Sequence, residues 1–331
     1  MLTPWEIKQK EMVPPLHMIK LNIGGMFFLM KIILMNLGTF KMMKNQKKFI
    51  YKRPTPPYTI PEYKPDMKST NSEEKYLRPT LFCNCRKPEI IALAHQLGAY
   101  QKSDREFAEA AFEFAKRKVI LEIMPLEDDV DEAIRRGTGT CIHKISIFIA
   151  LCRAAGIPAR YKFFALTMLD NWMAPAFENA PLIKQWYDAM GAFLIHGEGE
   201  VYLDGKWVTA DVGAEPQRQA ASWMPVTKLG EDSAGLWLFP IPGTTFIRES
   251  IPLGLGLPSR ILMKRFAPSS VAGINVGILQ QIEKGRKIIE ETGGEAAYDA
   301  EARKRRKQTA PKTNLLQKPE NIIFDDRQMQ K

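Results

Sequence analysis

The sequence predicts an α+β fold, with a helical half first and an antiparallel sheet after it. Three observations carry this reading. Apolar residues recur at helical spacing through Ile90–Leu97 and again through Phe107–Ala115. Residues 141–155 are apolar almost all round, the profile of a central helix buried on most sides, and this helix begins with a cysteine. Phe193–Leu203 and Lys206–Val212 are strand-like and are joined at Asp204-Gly205, a dipeptide of tight hairpins.

Each element has a local cause. Lys52–Pro65 (KRPTPPYTIPEYKP) is too rich in proline for regular structure and reads as an extended linker, with order expected to begin near Leu77. The first helix runs from Pro88 to a stop at Gly98. Asp104 is expected to cap the second, which carries Phe107, Ala108, Ala111, Phe112, Phe114 and Ala115. The acidic run Asp128–Glu132 opens a short helix that ends before Gly137. Gly156 and Pro158 terminate the helix that starts at Cys141, and Ala159–Leu166 leaves it as a strand. Residues 167–192, with two Trp and two Pro and no alternation, are expected to form an inserted helical loop. Residues 272–308 read as helical up to Arg303–Lys307, and no internal repeat is present.

Length and composition bound the class. The chain has 331 residues, 45% hydrophobic and 25% charged, as in an ordinary soluble globular protein. Its net charge of +10 is uneven. Residues 1–79 hold 14 Lys/Arg against 6 Asp/Glu, and residues 301–331 hold 9 against 4, which leaves the middle at −3. The basic flanks read as solvated tails, so the central domain gives no preference for nucleic acid. The four cysteines make no disulfide framework in a chain of this length. Cys141 and Cys152 stand about 16 Å apart along one helix. A reduced, cytoplasmic chain fits best. Cys83-Asn84-Cys85 lacks zinc-pair spacing and a second pair, so no metal or cofactor is expected. The apolar stretch 21–40 is broken by Lys31, Asn22 and Asn36, which argues against a firm membrane association.

The chemistry centres on Gly137-Thr138-Gly139-Thr140-Cys141. A cysteine in the first turn of a helix meets unpaired N–H groups and the positive dipole end, which favour a thiolate. His196 sits on a glycine-flanked strand, and Asp211 ends the next. A thiol, an imidazole and a carboxylate in that order point to nucleophilic cysteine catalysis. The hairpin arithmetic brings His196 and Asp211 level with a two-residue offset or a bulge near Gly197–Gly199. Among the other histidines, His143 is two residues from Cys141 and points to another face, unless it lines the pocket. His95 lies on a surface or packing helix and His17 in the N-terminal region. Arg153 and Arg160 suit structural ion pairs, and Trp207 suits packing of the hairpin.

The run GTGTCIHKISIFIALCRAAGIPARY resembles the nucleophile motif of the transglutaminase-like superfamily. HGEGEVYLDGKWVTADVG is similar to its His-bearing strand and its W-x-x-x-D strand. The resemblance covers about residues 78–215. It departs at Glu198, where the family often has an aromatic residue, and at Val212, where it often has proline. The resemblance implies a papain-type core with Cys141 as nucleophile, His196 as base and Asp211 as orienting acid.

The expected organisation is a poorly ordered, basic, Pro-rich N-terminal region (1–70), a transglutaminase-like catalytic domain (71–260), a C-terminal helical extension (261–308) and a disordered tail (309–331). The expected activity is acyl transfer or hydrolysis at an amide or peptide carbonyl through a thioester, acting on a protein or peptide substrate. A cysteine peptidase, a (glyco)peptide amidase or a catalytically silent binding module are the alternatives. The residues do not choose between water and an amine as acceptor, nor set an oligomeric state.

Overall fold

A computed structural model describes residues 49–305 except 127, 169–192, 232, 234–237, 241–244, 252–263 and 265–267, together with Leu34. The apolar stretch 21–40 apart from Leu34, nearly all of the expected insert 167–192, and the tail 309–331 therefore lie outside the described residues.

The helical half comes first. It comprises α1 (Pro88–Leu97), α2 (Asp104–Arg117), β1 (Ile120–Leu121), α3 (Val130–Arg136), β2 (Thr138–Gly139) and α4 (Cys141–Ala154). Pro88 opens α1, and Gly98, with φ 100°, closes it by donating to the carbonyls of Ala94 and His95. The cap of α2 falls one residue before the expected Asp104. Ser103 accepts from the N–H of Glu106, whose carboxylate reaches back to the Ser103 N–H, a reciprocal capping box.

The sheet half follows, with β3 (Ala159–Met168), β4 (Phe193–Leu203), β5 (Lys206–Ala210), β6 (Leu238–Pro240) and β7 (Phe246–Arg248). The strand order is β5-β4-β3-β6, with β7 also paired to β3, and every pairing is antiparallel. The hairpin forms at Asp204-Gly205, although β5 ends at Ala210, two residues short of its expected end. The chain is thus a mixed α+β protein with its helices packed on an antiparallel sheet.

Helix α4 is the centre of the core. Every side chain from Ile142 to Ala154 is buried, among them Lys144 and Arg153. It packs against α1, α2 and α3 on one side and against β3 and β4 on the other. The glycines of β4 make the second contact possible: a Cβ on Gly199 would stand 2.9 Å from Phe148 Cδ1, and one on Gly197 3.2 Å from Ile145 Cδ1. Among the described residues Arg153 forms no ion pair of the expected kind. It donates to the backbone carbonyls of Ala159, Arg78 and Glu249, stitching the end of α4 to three segments. Arg160 does pair, at 2.7 Å with Glu200, and its guanidinium lies 3.8 Å from the Trp207 ring centre.

The described part of the N-terminal flank, from residue 49, lies against this core. The proline-rich run is extended but does not stand free. Tyr58 packs edge-on against Phe114 and donates to the Ile134 carbonyl, and Arg53 grips both oxygens of Glu122 at 2.8 Å. Where one helical region was expected near the C-terminus, two form, α6 (Pro268–Glu291) and α7 (Glu295–Arg305). They divide at Gly293 and Gly294, whose φ values of 88° and 106° break the helix. α6 runs against α5 (Pro216–Ala221), and Tyr298 of α7 donates to the Met224 carbonyl at 2.7 Å. Among the described residues no helix is long and apolar enough to cross a membrane.

Candidate active site

The loop before α4 is fixed from several sides. β2 pairs in parallel with β1, and the Thr138 hydroxyl donates to Glu122 at 2.5 Å. Thr140 is the N-cap: its hydroxyl accepts from the His143 N–H, and its own N–H donates to His143 Nδ1 at 3.1 Å. His143 thereby fills the place that Glu or Gln takes in a capping box. It supports the helix start, and its buried Nε2 has no hydrogen-bond partner among the described residues. Cys141 is left as the first helical residue. Of the four cysteines it alone is not fully buried; Cys83, Cys85 and Cys152 are.

His196 lies on β4 opposite Phe164, whose ring packs 5.6 Å from the imidazole. One extra residue of β4 sits between the Phe164–His196 and Leu166–Phe193 pairs, so a bulge immediately precedes the histidine. The other strand of the hairpin pairs Gly199 with Ala210. Continued, that register puts Gly213 opposite His196 and Asp211 two residues short of it. Here the two-residue offset holds, and the bulge falls before His196 instead of at Gly197–Gly199.

Gly213 marks where the three candidates meet. A Cβ built on it would lie 3.2 Å from Asp211 Oδ1, 3.4 Å from His196 Cε1 and 3.6 Å from Cys141 Cβ. Residues separated by up to 70 positions thus border one point. Asp211 itself is held at both oxygens: Gly213 N–H donates to Oδ1 at 2.9 Å, and the Ser233 hydroxyl donates to Oδ2 at 2.5 Å.

The electrostatics differ from the expected thiolate. Burial pushes the Cys141 thiol up to about 11, although the N–H groups of Ile142 and Gly197 and the Lys144 ammonium pull the other way. Burial likewise lowers His196 to about 4, against the attraction of Asp211. The resting pair is therefore a neutral thiol and a neutral imidazole. At Asp211 burial would raise the carboxyl, but Lys116, His196, Ser233 and Gly213 together hold it below the usual carboxylate range.

Beneath the site lies a buried charge cluster that sequence reasoning did not find. The Lys116 ammonium donates to the carbonyls of Asp211 (3.3 Å) and Ala214 (2.9 Å) and to the Thr227 hydroxyl (2.8 Å). Lys144 pairs with Glu215 at 2.8 Å, and Arg218 approaches the same carboxylate at 3.6 Å. One signal was available: Lys116 stands four residues after Phe112 and eight after Ala108, on the apolar stripe of α2. Ser233 carries no such signal. Of the remaining histidines, His95 bonds the Lys68 carbonyl, and His17 lies outside the described residues. Among the described residues no three His, Cys, Asp or Glu side chains converge as metal ligands would.

A comparison with known families matches residues 91–212 to the transglutaminase-like superfamily. In those residues the chain is similar to the core of that superfamily. The match runs from the first helix to the residue after Asp211, so Cys141, His196 and Asp211 all fall inside it. No curated protein matches the chain. A solved structure of a candidate cysteine protease from Cytophaga hutchinsonii is 19% identical with a TM-score of 0.33, and the similarity covers 56% of each chain. The chain thus spans just over half the length of that protein.

Proposed function

We propose that the transglutaminase-like core is a cysteine enzyme that transfers an acyl group from an amide carbonyl through a thioester, with Cys141 as nucleophile, His196 as acid–base and Asp211 as the orienting carboxylate. The observation that supports this is the meeting of all three side chains around Gly213. The neutral resting pair sets the order of events. As Sγ attacks the carbonyl carbon, its proton passes to His196, so the buried charges develop together and only during reaction. The imidazolium then gives that proton to the departing amine, the C–N bond breaks, and the thioester remains. Asp211 stabilises the transient imidazolium and fixes the ring, the part a carboxylate plays in other triads. Water or a second amine, deprotonated by His196, finally releases the acyl group and the thiol.

The test uses p-nitrophenyl acetate as a general acyl donor. Intact-mass measurement is expected to find one acetyl group, mapped to Cys141 and absent in Cys141→Ala. A labelled primary amine with a glutamine-containing protein then separates the acceptors. Label incorporated into protein means transfer, while released ammonia or new peptide termini mean hydrolysis. Acetylation that persists in Cys141→Ala, or none in the wild-type chain, contradicts the reading.

A further inference from the structure

Asp211 is held more firmly than a triad carboxylate requires. Its Oδ1 is taken by the Gly213 N–H and its Oδ2 by the Ser233 hydroxyl, both partners being buried beside it. Its backbone is held as well, because the Lys116 ammonium bridges the carbonyls of Asp211 and Ala214 across the turn that contains Gly213. Lys116 and Ser233 are both 0% exposed, so neither bond competes with water. Two residues far apart in sequence therefore hold the same aspartate, Ser233 by a carboxylate oxygen and Lys116 by the main chain.

We propose that Lys116 and Ser233 are positioning residues of this site, which fix Asp211 as an oriented carboxylate facing His196. The proposal rests on the triad reading given above. Its logic is one of desolvation. A buried carboxylate survives only when donors and a counter-charge replace the water it has lost. Ser233 supplies the donor, and Lys116 the positive charge that most lowers the Asp211 carboxyl. The other groups facing the cluster are already committed. Lys144 pairs with Glu215 at 2.8 Å, Arg218 lies 3.6 Å from Glu215, and His196 carries no resting charge. Burial lowers the Lys116 ammonium to about 8, which leaves it charged at neutral pH. Lys116 is thus the cation left for Asp211.

The segment that leads to Ser233 is in turn held by β5 and α7. Gly230 N–H donates to the Thr209 carbonyl of β5 at 2.8 Å, and Arg303 of α7 holds Glu231 at 2.9 Å and the Val226 carbonyl at 3.1 Å. The segment that delivers the serine is clamped between the sheet and α7.

The test measures acetylation of Cys141 by p-nitrophenyl acetate from pH 4 to 8 in the full chain, with folding checked at each pH by circular dichroism. Ser233→Ala and Lys116→Met are each expected to slow acetylation at pH 7 about tenfold and to move the acid midpoint upward by about one pH unit or more. Ser233→Thr, which keeps the hydroxyl, is expected to restore both. Variants that lower the melting temperature but leave the acid midpoint at its wild-type value overturn the proposal, since packing alone would do that. Should Lys116→Met fail to fold, Ser233→Ala and its threonine rescue decide alone. Asp211→Asn runs alongside: if it leaves the rate unchanged the triad reading itself falls, whereas a dead Asp211→Asn beside an unshifted Ser233→Ala removes only the positioning roles.

Discussion

The backbone N–H of Gly213 donates to Oδ1 of Asp211 at 2.9 Å, and the same glycine presents its bare Cα to the space between the carboxylate and the imidazole. A single methyl group there therefore touches every part of the proposed machinery at once.

Gly213→Ala is expected to slow Cys141 acetylation about tenfold while changing stability by less than about 1 kcal/mol. The new Cβ would stand 3.2 Å from Asp211 Oδ1, so the carboxylate must give by a few tenths of an ångström and carry His196 with it. Acetylation kinetics and thermal melting on the same preparation check both halves. A variant with unaltered kinetics shows that the geometry around Gly213 is idle.

Stability is expected to fall as pH drops from about 6.5 to about 4. Burial lowers both His143 and His196 to about 4, whereas in the unfolded chain a histidine protonates near ~6.5. Between those values the unfolded state binds more protons, so acid favours unfolding, and above the window the contribution is fully present. The loss at pH 5 is of the order of 2 kcal/mol per histidine. His143→Gln keeps a capping-box residue at this position and removes one titration. Its chemical denaturation midpoint should fall about half as far as that of the wild type between pH 7 and 5. An equal fall in both proteins argues against a buried neutral His143.

Gly285→Ala is expected to destabilise the chain by about 3 kcal/mol. A Cβ at this position would lie 1.6 Å from the Gln217 carbonyl oxygen, a backbone atom that cannot rotate away, so α6 must lift off α5. Urea unfolding measures it, and a shift below about 1 kcal/mol would show that the two helices are not in such close contact.

The sequence was most legible where structure is locally determined. Cys141–Ala154 stood out because a helix apolar on all sides needs no partner to be recognised, and Asp204-Gly205 announced its hairpin because the turn demands those residues. The meeting of Cys141 with His196 and Asp211 followed from the hairpin and the family resemblance together. What escaped were side chains whose roles depend on distant backbone. Lys116 stands on the apolar stripe of α2, but only the fold brings its ammonium among three oxygens. Ser233 lies 22 positions from Asp211 with no periodic signal to link them. The thiol also misled. A helix N-terminus argues for a thiolate, but position in a helix says nothing about burial, which is the larger effect here.

The most direct test of the central claim, that Cys141 and His196 act as one site, is the rate of Cys141 alkylation by iodoacetamide in the wild-type chain and in His196→Ala. Peptide mass spectrometry resolves the four cysteines. Cys141 is expected to label first, at a rate that rises with pH and that His196→Ala slows at least about tenfold at pH 7. Exposure alone could put Cys141 ahead of the buried thiols, so the histidine variant decides. Labelling of Cys141 no faster than Cys152, or a rate unchanged by His196→Ala, contradicts the claim.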